Sequence, residues 1–229
     1  MPESLRVPVA NIKQIAALLR NGKTTIMLMG NTALTEKCLE LADQLSQATG
    51  VRLYCDTFTA RLPRGAGRCS IEKLGYFAEQ ATEQIKDAEQ LVMVGTTAPV
   101  GFFAYPGKVS EFYPADSVLH TLAEVQHDAE QALTDLVAEL DAGKFAPRRI
   151  KLQKPQLATG ELNLKAVGQG FAALLPTDAI VVDESATSGA YTSALSATAE
   201  PHDWLSLTGG SIGYGLPLSI GTAVACPER

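Results

Sequence analysis

Apolar and polar positions along the first two-thirds of the chain follow two different periods. Apolar residues at the spacing of Ile12, Ile15 and Leu19 predict an amphipathic helix that Asn11 can cap and Gly22 can end. Short unbroken apolar runs between such segments are typical of buried strands. The pattern predicts further helices over 35–49, 71–85 and 128–140, and strands over 24–29, 51–55, 90–94 and 117–121.

Strands that alternate with helices predict an α/β fold, with a parallel sheet covered on both faces as in a Rossmann-like domain. A segment rich in Lys, Arg, Pro and Gln then interrupts the pattern. A second α/β pattern follows, with helices over 162–175, 187–195 and 212–226 and strands over 179–182 and 204–207. We therefore predict a central domain over 1–142, a linker over 143–160 and the beginning of a second α/β domain over 161–229. Two strands cannot form a stable sheet alone, so we expect this second domain to be truncated.

Composition excludes several classes of protein. A hydrophobic fraction of 46% with 19% charged residues is typical of a globular chain and not of a disordered one. The net charge of -6 argues against nucleic acid as a partner, because phosphate binding needs a basic face. The sequence has neither an apolar run that predicts a membrane span nor a signal-peptide pattern, so we expect a cytoplasmic protein. The four cysteines form no CxxC pair, and no metal site is predicted.

Two segments of the second domain carry candidate chemistry. The stretch 205–221, LSLTGGSIGYGLPLSIG, places glycines between a strand and a helix, where bare backbone can approach a ligand. A tight strand–helix junction is an equally good explanation of those glycines. The stretch 181–189, VVDESATSG, runs from a strand into hydroxyl residues, which is typical of an anion site. Taken alone, it is better explained by helix capping through Ser185 or Thr187.

The glycine segment also matches G-x-S-x-G, the nucleophile motif of serine hydrolases, with Ser211 as the candidate nucleophile. In that fold the acid and the histidine follow the serine. After Ser211 the chain has no His and no Asp, and only Glu228 remains as an acid. A hydrolase is therefore the least favoured alternative.

Together these segments resemble the diphosphate-binding domain of thiamine diphosphate-dependent enzymes of the acetolactate synthase and benzoylformate decarboxylase type. The resemblance rests on DESATS and on TGGSIGYGLPLSIGTAVACPER. Upstream, GKTTIMLMGN, TFTARLPRGAGR and GTTAPVGFFAYPGK are similar to the central domain of the acetolactate synthase-like branch. The resemblance covers nearly the whole chain.

The resemblance implies roles for individual residues. Ser185, Ala186 and Thr187 would contact the diphosphate of the cofactor through backbone amides and a hydroxyl. The carbonyl of Gly210 would accept a hydrogen bond from the 4'-amino group of the aminopyrimidine. Ile212, the candidate catalytic residue, would be the bulky side chain that holds the cofactor in its V shape.

Two parts of the family pattern are not found in this sequence. They are the GDG…Asn motif that holds Mg2+ with the diphosphate, and the N-terminal pyrimidine-binding domain with its activating glutamate. We therefore expect a fragment that is inactive alone. The resemblance implies that the full-length parent is a thiamine diphosphate- and Mg2+-dependent lyase or transferase acting on a 2-oxo acid, as a homodimer or homotetramer. A non-catalytic scaffold or regulatory relative is the main alternative.

Some members of the family hold FAD or ADP at the central domain, and Arg61, Arg64 and Arg68 could meet a nucleotide phosphate there. A solvated basic loop is the favoured alternative for these arginines. The first predicted strand ends in Gly30-Asn31-Thr32 and not in G-x-G-x-x-G, so the sequence gives no support for FAD or NAD.

Overall fold

The computed structural model describes residues 4–185 and 187–229, which divide into two compact units. Unit 1 comprises Met1–Thr57 and Ile71–Pro147, and unit 2 comprises Phe58–Ser70 and Arg148–Arg229. The helices are α1 (Val9–Leu19), α2 (Glu36–Thr49), α3 (Ala78–Ile85), α4 (Ala129–Glu139), α5 (Leu164–Leu174), α6 (Ala190–Ser196) and α7 (Gly215–Ala225). The strands are β1 (Thr25–Met29), β2 (Arg52–Cys55), β3 (Leu62–Arg64), β4 (Glu72–Lys73), β5 (Gln90–Val94), β6 (Val118–Ala123), β7 (Ala179–Asp183) and β8 (His202–Ser206).

Unit 1 contains a five-stranded parallel sheet in the order β4-β2-β1-β5-β6. Every residue of β1 and β5 is buried, because helices cover both faces of a parallel sheet. The predicted α/β fold with a Rossmann-like parallel sheet is confirmed. Strands β2 and β4 lie on one side of β1, and β5 and β6 lie on the other, so the chain switches sides of β1 between β4 and β5. Because the strands are parallel, the carboxyl ends of β1, β2 and β5 meet at one edge of the sheet.

Local signals fix several helix ends in unit 1. The Thr35 hydroxyl accepts a hydrogen bond of 3.1 Å from the Cys38 amide at the start of α2. The same helix ends at Gly50, whose φ of 77° lies in the left-handed region that favours glycine. The carboxylate of Asp128 accepts a hydrogen bond of 2.9 Å from the Gln131 amide and so caps α4.

Two predictions for unit 1 are wrong. Asn11 does not cap α1, which already begins at Val9; instead its side-chain amide lies 3.0 Å from the carbonyl oxygens of both Thr121 and Leu122. Those carbonyls belong to β6, the edge strand, so Asn11 covers part of an edge that would otherwise be open for pairing. The helix predicted over 71–85 forms only from Ala78, because the preceding residues pair with β2 as the short strand β4.

Unit 2 is built on a three-stranded sheet in the order β3-β8-β7. Strand β7 runs parallel to β8, and β3 runs antiparallel to it, with Leu62 opposite Trp204. The units are thus bounded differently from the domains predicted over 1–142 and 161–229, and those domain ranges stay a prediction. The predicted linker over 143–160 also contributes to unit 2, where the Ile150 amide donates to Arg68 and the Gln153 amide donates to Thr198.

The arginines of the segment 58–70 bind residues of unit 2. Asp203, only 2% exposed, accepts hydrogen bonds of 2.9 Å from Arg61 and from Arg229, and Arg68 lies 3.4 Å from it. Burial alone would raise the pKa of Asp203, but the hydrogen bonds and charges of these arginines outweigh it and lower that pKa. The solvated-loop interpretation is therefore wrong for Arg68, whose side chain is 9% exposed, whereas the Arg61 side chain remains 64% exposed.

Arg64 also binds within unit 2. Its guanidinium lies 4.8 Å from the centre of the Trp204 ring and donates to the Ser193 carbonyl at 2.7 Å. These contacts hold β3 and its loop against β8. They give the arginines a structural role that needs no nucleotide phosphate.

In unit 1, Asp56 is a partly buried carboxylate at the carboxyl end of β2. The Thr96 hydroxyl lies 2.8 Å and 3.0 Å from its two oxygens, and no cation of the described chain pairs with it. Burial raises its pKa from 3.8 to about 6, and the Thr96 hydrogen bond opposes this only in part. The folded state therefore favours the protonated carboxyl.

We expect Asp56→Asn to stabilise unit 1 near pH 7.5 and to change little near pH 4. A carboxyl whose pKa is raised by folding contributes fully to the stability of the folded state at pH values below its pKa in the unfolded chain. That contribution is lost as the pH rises through about 6, the pKa in the folded state. The neutral amide avoids that loss, which is on the order of 3 kcal/mol for a shift from 3.8 to about 6. Urea unfolding followed by circular dichroism at both pH values measures the difference. An equal change at pH 4 and pH 7.5 would contradict the assignment.

Candidate functional site

The candidate site lies at the carboxyl ends of β7 and β8. These strands are parallel neighbours, and their register pairs Asp183 with Ser206 at the last position of each. The loops that follow them therefore start side by side. Open α/β sheets bind ligands outside the carboxyl ends of their strands, and both sequence segments with candidate chemistry are found at this edge.

The loop after β7 is held in shape by its own side chains. The Asp183 carboxylate accepts a hydrogen bond of 2.9 Å from the Ser185 amide and another from the Ser185 hydroxyl. A Cβ atom at Gly189 would lie 1.9 Å from the Ser185 hydroxyl oxygen, so a larger residue there would displace that hydroxyl from its hydrogen bond to Asp183. Ser185 and Thr187 are exposed, whereas Ala186 lies outside the described residues.

Neither hydroxyl residue caps the helix that follows. Helix α6 begins at Ala190 with Gly189 in the capping position, and no side chain accepts a hydrogen bond there. The capping interpretation of Ser185 and Thr187 is therefore wrong. Within the part of the chain that the structure describes, the Thr187 hydroxyl makes no hydrogen bond, whereas the Ser185 hydroxyl is used by Asp183. Of the two, Thr187 is the side chain that can meet a ligand.

The loop after β8 presents glycine backbone and one large apolar side chain. Gly210 and Gly213 have φ values of 69° and 97°, which side-chain-bearing residues rarely adopt. Ile212 stands between them with 77% of its surface exposed. A bulky apolar residue on a glycine loop has little to gain from exposure to water, so Ile212 is suited to contact a ligand or another protein segment.

Hydrogen bonds join the two loops. One carboxylate oxygen of Glu184 accepts from the Gly213 amide at 2.9 Å and from the Gly215 amide at 2.8 Å. The Tyr214 hydroxyl donates to the Asp183 carbonyl and lies 3.2 Å from the Leu205 carbonyl. Burial, reinforced by the charges of Asp183 and Glu184, raises the pKa of Tyr214 to about 12, so its hydroxyl keeps its proton. Neither Glu184 nor Tyr214 stands out in the sequence as a site residue.

Helix α7, which starts at this site, buries none of its residues. Leu216, Ile220 and Val224 follow each other at intervals of four and form an exposed apolar stripe. Most helices of globular proteins are stabilised by packing of such a face. In the described structure, α7 is held at its first turn by Glu184 and Tyr214 and, beyond its last turn, by Arg229, which donates to the Asp178 carbonyl at 2.6 Å and to Asp203 at 2.9 Å.

We expect the backbone amides of α7 to exchange with solvent faster than those of α5. Both helices have 11 residues and belong to unit 2, but α5 buries Gly168 and Ala172. Local opening is cheap where few apolar contacts are lost. Hydrogen–deuterium exchange of the 229-residue chain, read by mass spectrometry, makes the comparison directly. Equal protection of the two helices would contradict this expectation.

The structure gives Ser211 no catalytic partners. Ser211 is exposed in the glycine loop, at the carboxyl end of β8. The one histidine of unit 2, His202, is the first residue of the same strand, and its side chain is fully buried. The Nδ1 atom of His202 lies 2.7 Å from the Glu200 carbonyl. A serine nucleophile needs a base within hydrogen-bond reach, so the hydrolase alternative has no support.

Over 4–185 and 187–229, no three His, Cys, Asp or Glu side chains are arranged to hold a metal ion. None of the helices in this part of the chain is both long and apolar enough to cross a bilayer.

The chain is similar to proteins of one functional class. It is 43% identical over 229 residues to IlvX of Mycobacterium tuberculosis, a protein named for the acetolactate synthase large subunit; the match covers 100% of this chain and 44% of IlvX. No protein-family model matches the chain.

Two solved structures match all of this chain. One, from Mycobacterium smegmatis, is described as a thiamin diphosphate-dependent enzyme and matches with a TM-score of 0.75, 17% identity and 47% of its length covered. The other, benzoylformate decarboxylase from Polynucleobacter necessarius, matches with a TM-score of 0.71, 17% identity and 46% covered. The chain therefore spans less than half the length of each of these proteins.

Proposed function

We propose that the natural protein containing this chain is a thiamine diphosphate-dependent decarboxylase or carboligase of a 2-oxo acid. The premise is that the chain is a homologue of acetolactate synthase large subunit-like proteins and has the fold of thiamine diphosphate-dependent enzymes. The single observation that carries the proposal is the pairing of two loops at the carboxyl ends of β7 and β8. One loop presents Thr187, and the other presents glycine backbone beside the exposed Ile212.

The residues present fit the cofactor. Ser185 and Thr187 are exposed in the loop after β7, and the amide and hydroxyl of Thr187 would bind the diphosphate, while the Ser185 amide and hydroxyl donate to Asp183 and hold the loop in shape. Ala186 is assigned to the same group of contacts. In the second loop, the Gly210 carbonyl would accept a hydrogen bond from the 4'-amino group.

Ile212 would orient the cofactor and exclude water beneath it. A β-branched side chain with few rotamers is a firm support, and its exposed surface is what a ligand would cover. When bound, thiamine diphosphate supplies a carbanion nucleophile and an electron sink for decarboxylation. This chain's contribution is to hold the two ends of the cofactor, at Thr187 and at Gly210, in a fixed relation.

The described residues do not fit a magnesium site, because Mg2+ needs several oxygen ligands at near-octahedral geometry and no such cluster is present among them. We assign the Mg2+ of the natural protein to ligands beyond these residues and derive no step through it. We also propose that the natural protein acts in the cytoplasm as a homodimer or homotetramer. Light scattering after gel filtration tests the assembly.

The test is to purify the natural protein and titrate it with thiamine diphosphate in a buffer containing Mg2+. CO2 release from a panel of 2-oxo acids is then measured. We expect cofactor binding, with turnover of at least one 2-oxo acid, and weaker cofactor binding by Thr187→Ala. Cofactor binding without turnover of any 2-oxo acid would favour a non-catalytic relative, and the absence of both would overturn the proposal.

A further inference from the structure

The two loops of the candidate site are attached to different strands, and few contacts fix their spacing. The loop with Thr187 follows β7, and the loop with Gly210 and Ile212 follows β8. A ligand that touches both loops is bound tightly only if their separation is already correct. The residues that set this separation are therefore as relevant to binding as the residues that touch the ligand.

Glu184 is the side chain that spans this separation. It belongs to the chain leaving β7, and it accepts two backbone hydrogen bonds, of 2.9 Å and 2.8 Å, from Gly213 and Gly215. Hydrogen bonds to a carboxylate are stronger than neutral ones, and the first turn of a helix favours a negative charge. A Cβ atom at Gly215 would lie 2.9 Å from the carboxyl carbon of Glu184, so glycine at this position lets the carboxylate approach.

Tyr214 adds a second tie at the same place. Its hydroxyl hydrogen bond to the Asp183 carbonyl connects the residue before Glu184 with the residue between Gly213 and Gly215. Asp183 in turn accepts a hydrogen bond of 3.2 Å from the Trp204 indole of β8 through its carboxylate. Both loops are thus fixed to each other and to the sheet.

We propose that Glu184 is a positioning residue that sets the spacing between the loop of Thr187 and the loop of Gly210 and Ile212, with Tyr214 as its support. This inference rests on the proposed function, because it assigns the two loops to the two ends of one cofactor. Glu184 acts through the Gly213 and Gly215 amides. It is not assigned a contact with the cofactor.

A comparison of two ligands isolates this role. Inorganic diphosphate needs only the loop of Thr187, whereas thiamine diphosphate needs both loops. The two ligands differ in net charge, because thiamine diphosphate also carries the thiazolium cation, so the ratio of their affinities is measured for Glu184→Asp as well as for Glu184→Gln. Glu184→Asp keeps the carboxylate and shortens the side chain by one methylene, and it should lower the ratio in the same direction. We expect Glu184→Gln to reduce the ratio of thiamine diphosphate affinity to diphosphate affinity by about tenfold or more, because two half-sites held at fixed spacing gain from effective concentration.

The titrations use the natural protein in a buffer containing Mg2+, and the far-ultraviolet circular dichroism spectrum and thermal unfolding midpoint of each variant verify that it is folded. Asn163→Ala is the matched control, since Asn163 caps α5 in the same unit by accepting from the Ala166 amide at 2.9 Å. It should leave the ratio unchanged. Tyr214→Phe, which keeps the ring, should lower the ratio in the same direction as Glu184→Gln.

The outcomes separate this inference from the proposed function. If the wild-type protein binds thiamine diphosphate and the ratio is the same in Glu184→Gln, the positioning role is overturned and the proposed function stands. If Asn163→Ala lowers the ratio as much, Glu184 is only a helix cap and the inference fails. If the wild-type protein binds no thiamine diphosphate, both fail.

Discussion

Replacing Asp203 by asparagine is expected to lower the free energy of unfolding of unit 2 by about 3–5 kcal/mol. The carboxylate is 2% exposed and is bound by Arg61, Arg68 and Arg229. Without its charge, the Arg68 side chain, 9% exposed, stays buried with no carboxylate at Asp203 to balance it. Breaking a buried pair from one side costs far more than the pair itself contributes.

Trp204 makes the measurement specific to this unit. It is the single tryptophan of the chain, it follows Asp203 in β8, and it is 1% exposed. Urea unfolding followed by its fluorescence therefore reports on unit 2. Glu200→Gln is the control, because it weakens a partly exposed pair with Lys154 in the same unit and should cost about 1 kcal/mol or less. Equal losses in the two variants would show that the arginines around Asp203 contribute little.

The same variant should change the response of unit 2 to acid. The arginines lower the pKa of Asp203 in the folded state, so its contribution is present above the unfolded pKa and is lost as pH falls through the folded pKa. We expect the wild-type midpoint in urea to fall as the pH is lowered below about 4. The midpoint of Asp203→Asn should lack this part of the decline.

Ile212→Ala in the natural protein is expected to reduce turnover by about 30- to 1,000-fold, corresponding to roughly 2–4 kcal/mol. This prediction depends on the proposed function. If the exposed side chain supports the cofactor between its two rings, its loss leaves the 4'-amino group and C2 poorly aligned. The diphosphate contacts near Thr187 are separate from Ile212, so cofactor affinity should fall much less than turnover.

Val224→Ala is the matched control for Ile212→Ala. Val224 is 78% exposed, as Ile212 is 77% exposed, but it stands near the other end of α7. Turnover, cofactor dissociation and hydrogen–deuterium exchange at C2 of the bound cofactor are measured on the same folded sample. Unchanged exchange at C2 in Ile212→Ala would remove its assignment as the support. A similar loss in Val224→Ala would point to general damage of α7.

The sequence predicted the elements whose signals are local. The buried runs of β1 and β5 and the apolar periodicity of α2 act within a few residues, and the structure has these elements where they were predicted. The short strands β3 and β4 were missed, because two or three residues show no period. In β3, moreover, Pro63 argues against a strand, and an edge position is what allows it.

The candidate site shows the same limit. Glycines and hydroxyl residues between a strand and a helix can be recognised in a sequence, and their segments meet at one edge of the sheet. Glu184 and Tyr214 could not be identified, because their role consists of hydrogen bonds between loops about 30 residues apart. In the sequence nothing distinguishes Glu184 from any other acidic residue. Its role is visible only in the structure, where its carboxylate accepts hydrogen bonds from the Gly213 and Gly215 amides.

Pairing of β3 with β8 gives unit 2 a high contact order, with consequences for synthesis. Arg61 and Asp203 lie 142 positions apart, so β3 leaves the ribosome long before its partner strand exists. At about 5–20 residues per second, the wait is roughly 7 to 30 seconds. During that time the nascent chain carries an unpaired strand and unmatched arginines, while β1, β2, β5 and β6 can already assemble. Unit 1 is thus free to fold co-translationally, whereas unit 2 can close only after Trp204 has been translated.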